Sequence, residues 1–213
     1  RVSDKGRSGV HAPDQFMSLA HLAHEMRLYK SSQELKAMRK AATITSEGHR
    51  RAMALCRPGM KEYQIEAELL HCFMENGARS PAYPAIVGGG ANSCILHYTE
   101  NSATLKEGDM VLIDAGAEYD NYASDVTRTF PVNGKFSTVQ RQVYEIVLEA
   151  QLAAIAKVVP GNMWNEPHNA AVEVITRGLI ELGILTGRLR KLIQTEAYKP
   201  YYMHKTGHWL GMD

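Results

Sequence analysis

Two aspartates and a scatter of histidines are the residues here whose types and spacing could do chemistry. Asp114 and Asp125 sit in Met110-Val111-Leu112-Ile113-Asp114 and Asp125-Val126-Thr127-Arg128-Thr129-Phe130, either side of Tyr119-Asp120-Asn121. The stretch reads as a β-hairpin turning near Asp120-Asn121. With the turn centred between Tyr119 and Asp120, the aspartates stand directly opposite, their Cβ atoms about 4.5–5.5 Å apart on one face. Carboxylates held so close among Val111, Leu112, Ile113 and Val126 repel each other and lose hydration, so a proton or a cation must neutralise them. A divalent metal is the natural solution. A plainer reading stays open, in which Asp114 is a turn residue before Ala115-Gly116 and Asp125 pairs with Arg128 or caps a turn.

His204 and His208 follow Tyr201-Tyr202-Met203 and flank Lys205-Thr206-Gly207. Their spacing imitates HExxH, but Lys205 stands where the glutamate belongs and Gly207 weakens a helix, which excludes a zincin. A strand and bend there could bring one imidazole to a metal and the other to substrate, or both could be core histidines bound to backbone carbonyls. His97, after Cys94-Ile95-Leu96, is delivered to a cleft if that apolar run is a strand. Gly88-Gly89-Gly90 precedes Ala91-Asn92-Ser93, without the Lys-Ser/Thr of a phosphate loop, and reads as a turn. Tyr198, Tyr201 and Tyr202 could line a pocket or pack in the core.

The elements that must position these residues are helix pairs and short strands. Apolar spacing predicts a helix over 14–29 and a second from Ser31 or Ser32, with Glu34 in its first turn, to about Cys56. Arg57-Pro58-Gly59 ends it, and a third helix runs from Glu62 through Leu69 and Leu70 towards Asn76-Gly77. The same unit returns about a hundred residues later: Ser137 opens a helix with Val143, Ile146, Val147 and Leu152, Pro160-Gly161 breaks it, and another reaches Leu182-Gly183. Between the pairs, Ala85-Ile86-Val87, Cys94-Ile95-Leu96, Val111-Leu112-Ile113 and 126–132 read as strands. Helix pairs alternating with hairpins predict an internally duplicated α+β domain on an antiparallel sheet.

Composition narrows the class. The 213 residues are 45% hydrophobic and 22% charged, those of one globular domain, and the net charge of +1 is spread evenly, which argues against nucleic acid as a partner. No apolar run reaches the 18 or so residues of a membrane span, and no signal-peptide stretch follows Arg1. The three cysteines, Cys56, Cys72 and Cys94, have no ligand spacing and read as small core residues reduced in a cytoplasm.

Taken together, Leu112-Ile113-Asp114-Ala115-Gly116, Ser124-Asp125-Val126-Thr127-Arg128-Thr129-Phe130, His97-Tyr98-Thr99-Glu100-Asn101 and Gly207-His208-Trp209-Leu210-Gly211 resemble aminopeptidase P, a pita-bread metallopeptidase family. The likeness runs from about His24 to Asp213. It implies two divalent ions, usually manganese, held by five ligands, of which Asp114, Asp125 and His208 match three. Two glutamates and a further histidine are then expected beyond Asp213. His97 and His204 match histidines that contact substrate and stabilise the charged intermediate. Residues 1–23 are expected to be a remnant of the connection from an absent N-terminal domain, and 24–213 an incomplete catalytic domain that alone binds metal weakly and is inactive. The implied activity removes the first residue from peptides with proline second, in a cytoplasmic homo-oligomer. A prolidase cutting X-Pro dipeptides, a creatinase-type hydrolase and a non-catalytic pita-bread binding module are the alternatives.

Overall fold

In the computed structural model, residues 17–212 are described. Most of the expected helix over 14–29 lies within them as α1 (Ala20–Leu28). Next come α2 (Ser32–Leu55) and α3 (Glu62–Glu75). The serine expected to start α2 does so: Ser31 N–H donates to Glu34 Oε2 at 2.6 Å while Glu34 N–H donates back to Ser31 Oγ at 3.3 Å, a capping box. The second helix pair, α4 (Thr138–Ile155) and α5 (Glu166–Glu181), opens the same way at Ser137 and Gln140. A short α6 (Leu189–Gln194), absent from the sequence reading, follows.

Six strands lie between the pairs: β1 (Ser80–Pro81), β2 (Ile86–Gly89), β3 (Met110–Ala115), β4 (Ala117–Tyr119), β5 (Tyr122–Ala123) and β6 (Val126–Pro131). They form two antiparallel ladders, β1-β4-β5 and β2-β3-β6, where the sequence suggested one sheet. Gly116 marks the switch between them. A Cβ there would lie 1.6 Å from Ser124 O, so only glycine lets the two arms of the hairpin come this close.

β3 alternates strictly. Val111, Ile113 and Ala115 are buried against α2 and α3, in a core that also holds Ile44, Ile65, Leu69, Phe73 and Val87, while Met110, Leu112 and Asp114 face the other way. The α4–α5 pair buries only small clusters around Ala150, Ala154, Ala171 and Val174. α4 leaves Val139, Val143, Val147, Leu152 and Ile155 exposed.

Two expected strands are not strands. Gly90–Cys94 is a 3-10 turn leading into exposed Ile95 and Leu96. There Ser93 Oγ–H donates to Gly90 O at 2.6 Å, a local bond, and the Asn92 amide reaches Glu62 Oε1 of α3 at 3.1 Å, and together they outcompete a ladder. The segment 201–211 is irregular; Ala123 N–H to Gly211 O, 2.8 Å, ties its end to β5. Of the cysteines, Cys72 is buried and Cys56 half-buried, each thiol pushed up by burial, but Cys94 is exposed rather than core. Among the described residues, no helix is long and apolar enough to cross a membrane.

Candidate metal centre

Register places the two aspartates. Asp114 pairs with Thr127, not Asp125, because the turn centres between Asp120 and Asn121, whose φ of 51° and 67° give a two-residue hairpin turn. Asp125 is therefore the diagonal neighbour, two residues towards the turn. Moving the centre of a turn by one residue moves the register by two, so the face each side chain occupies is unchanged. Both carboxylates do face the same side, and one phenol proves it: Tyr83 Oη lies 2.6 Å from Asp114 Oδ1 and 2.9 Å from Asp125 Oδ1.

His208 completes the group. Its Nε2 is 2.9 Å from Asp125 Oδ2, and its Nδ1 is 2.6 Å from Trp209 O. Both ring nitrogens face acceptors, and the Trp209 carbonyl and then Asp125 hold the imidazole above its ordinary pKa, which favours the doubly protonated ring. Burial drives Asp114 the other way for an acid, raising its carboxyl pKa, with the Asp125 charge adding to it. Burial and the bond to Asp114 also push the Tyr83 phenol far above its usual range. One hydroxyl has one proton, so Tyr83 cannot satisfy two carboxylates at once.

This pattern fits a cation. Two carboxylates that need a shared proton, with an imidazolium laid against one of them, present two hard oxygens and one nitrogen, the donors of zinc and manganese sites. The Nδ1 contact to Trp209 O would fix the tautomer that leaves Nε2 to ligate. Among the described residues, no three or more His, Cys, Asp and Glu side chains are gathered as a ready cage. The three expected ligands form a chain instead, His208 to Asp125 and on to Asp114 through Tyr83. The alternative pairing of Asp125 with Arg128 is not found, since the Arg128 guanidinium donates to Thr127 O at 2.7 Å.

Residues 36–213 match metallopeptidase family M24. The chain belongs to that family. It is 48% identical over 207 residues to the Xaa-Pro aminopeptidase of Escherichia coli (strain K12), covering 97% of this chain and 47% of that protein. It is 39% identical over 194 residues to the human Xaa-Pro dipeptidase, covering 89% and 39%. Its fold superimposes with a TM-score of 0.96 on zinc-substituted E. coli aminopeptidase P in complex with product, at 47% identity, covering 100% of this chain and 48% of that one. The α+β fold is therefore the one the resemblance implied. The chain spans about half the length of the relatives it matches.

Within this M24 chain, the other two expected site residues show no hydrogen bond to either carboxylate among the described residues. His97 is exposed, with φ 55°. His204 is exposed too; its Nδ1 lies 2.9 Å from Lys205 O and its ring meets Tyr202 edge-on at 5.6 Å. It lines a cavity of about 150 Å³ with His168, Tyr198, Tyr202 and Met203. Of the three tyrosines, Tyr198 is buried, Tyr202 half-buried and Tyr201 exposed.

Two functional residues escaped the sequence reading. Tyr83 precedes Pro84, which favours extended backbone, and the chain is pinned there by Ala82 N–H to Gly116 O at 2.8 Å. Nothing in Ala82-Tyr83-Pro84 alone points to a site. Glu62, fully buried, accepts from Gly89 N (2.8 Å), Asn92 Nδ2 (3.1 Å), Tyr98 Oη (2.8 Å) and Ala103 N (2.9 Å). Burial raises its carboxyl, but these four donors together bring it below the usual range. It anchors the loop that carries His97.

Proposed function

We propose that this chain provides part of the metal site of an aminopeptidase that releases the first residue from peptides with proline second. The observation carrying the reading is the convergence of Asp114, Asp125 and His208 on one face beside Tyr83. Asp114, Asp125 and His208 are the proposed ligands, and the proposed ions are two Mn²⁺. A bound pair of divalent ions supplies a water of lowered pKa and polarises the scissile carbonyl. The chain's own part is to hold two carboxylates at a fixed diagonal spacing, to orient the His208 ring through Trp209 O, and to keep a water-poor wall of Leu112 and Tyr83 around them. His97 and His204 are proposed to reach the substrate from the 90–104 loop and the 201–211 segment, His204 stabilising negative charge on the carbonyl oxygen.

The test is release of the first residue from an X-Pro-containing peptide by the full-length protein with added Mn²⁺. Asp114→Asn should lower kcat/KM roughly a hundredfold or more. Unchanged activity in that variant sinks the assignment. A length series separates the alternatives: hydrolysis confined to X-Pro dipeptides assigns a dipeptidase instead, and no hydrolysis of either substrate, with metal bound, leaves a binding module.

A further inference from the structure

We propose that α2 carries a two-residue polar bracket, Thr45 and His49, that positions the proposed metal-binding aspartates from behind the sheet. The inference rests on the metal reading above. Thr45 and His49 lie one helical turn apart and so share a face of α2, and both are buried, at 0% and 2% exposure. Neither is needed to fill space, since an aliphatic side chain of similar size would pack there without bringing polar atoms into the core.

What they bind explains their presence. His49 Nε2 lies 3.3 Å from Ala115 O, which makes it the donor and Ala115, the residue after Asp114, the acceptor. Burial pushes His49 below its ordinary pKa, and Nδ1 has no hydrogen-bond partner, so the bond to Ala115 O is the one this imidazole makes. Thr45 closes a cycle with the opposite arm. Ala117 N–H donates to Thr45 Oγ1 at 2.8 Å, and Ser124 Oγ–H donates to Ala117 O at 2.8 Å. The remaining contact, Thr45 to Ser124 at 2.6 Å, must then use the Thr45 proton. Ser124 precedes Asp125.

The bracket therefore grips the hairpin just after Asp114 and just before Asp125. It does so on either side of Gly116, between the end of β3 and the start of β4, where the backbone bond from Ser124 N–H to Ala117 O at 3.0 Å also ties the two arms. Partners that hydrogen-bond metal ligands directly change metal affinity by about 10–100-fold when removed, and a bracket one residue away from each aspartate should reach the lower end of that range.

The experiment is Mn²⁺ titration calorimetry with peptidase kinetics on the full-length protein. Thr45→Val and His49→Leu delete the donors. Each should weaken Mn²⁺ binding about tenfold or more and lower kcat at saturating metal while KM stays within about twofold. Thr45→Ser and His49→Gln, which keep a donor in reach, should restore affinity to within about threefold of the unsubstituted protein. Folded deletion variants that bind Mn²⁺ normally overturn the proposal, as do conservative variants that lose as much as the deletions. If His49→Leu does not fold, His49→Gln against His49→Asn decides, because only the longer amide reaches the Ala115 carbonyl. A protein that binds no divalent ion before substitution defeats the metal reading instead. The bracket is then read by hydrogen exchange at the Ala117 amide, which should quicken in Thr45→Val; unchanged exchange overturns it.

Discussion

The two helix pairs share one sequence plan and live in different surroundings. α2 and α3 press on the inner face of β3 and enclose a core running from Ile44 through Phe73 to Ile113, whereas α4 and α5 pack chiefly on each other and leave Val147 54% and Leu152 58% exposed. Their buried polar groups differ in the same sense. Thr45, His49 and Glu62 of the first pair each bond to the hairpin or its neighbouring loop, while Thr176 of the second returns its hydroxyl to Val172 O, a bond within its own helix. A repeated pattern of caps, apolar spacing and Pro-Gly breaks encodes a helix pair. What that pair does is decided by the few polar residues it turns inward.

Close approach by glycine gives the sharpest way to break this comparison. Gly116→Ala puts a methyl group 1.6 Å from a backbone oxygen, which nothing nearby can yield, and should cost more than about 4 kcal/mol in denaturant unfolding or abolish folding. Gly178→Ala in α5 meets Ile146 side-chain carbons at 2.5–2.8 Å, which can rotate aside, so about 1–3 kcal/mol is expected. Equal costs would mean that the α4–α5 contact is as tightly constrained as the hairpin that α2 and α3 cover.

Next in size is Glu62→Gln. The amide nitrogen replaces one carboxylate oxygen and turns its hydrogens towards two of the four donors, and a loss of about 2–3 kcal/mol follows. The sign with pH is fixed by the depressed carboxyl. Its stabilisation is present above the unfolded carboxylate range and is lost as pH falls through the lower folded value. Chemical unfolding measured from neutral pH downwards should therefore lose less stability in Glu62→Gln than in the unsubstituted chain. A steeper acid loss in the variant would contradict the assignment.

The smallest effects should fall on the exposed side of α4. Leu152→Ser should change the stability of residues 1–213 by no more than about 0.5 kcal/mol, against about 2–5 kcal/mol for Ile113→Ala in the first core. A large loss at Leu152 would show the second pair to be as enclosed as the first.

Much of this was legible in the chain. Ser31 and Ser137 announce their helices because capping is local, and the faces of Asp114 and Asp125 survive an error in the turn centre because strand parity does. Register itself was missed by two residues, since Asp and Asn both tolerate the left-handed conformations that put the turn at Asp120-Asn121. The apolar run Cys94-Ile95-Leu96 misled for a different reason: Glu62, nearly thirty positions earlier, supplies the acceptor that winds its approach into a turn. Tyr83, Thr45 and His49 have no local signature, because each matters only through a partner far along the chain.

The proposed function depends on Asp114, Asp125 and His208 sharing a cation. The most direct measurement is anomalous diffraction at the manganese edge from crystals of the full-length protein grown with Mn²⁺. The expected result is a peak within bonding distance of both aspartates and of His208 Nε2, with the Tyr83 hydroxyl no longer within hydrogen-bond distance of both carboxylates. A peak elsewhere, with Tyr83 and His208 still hydrogen-bonded to the carboxylates, would contradict it.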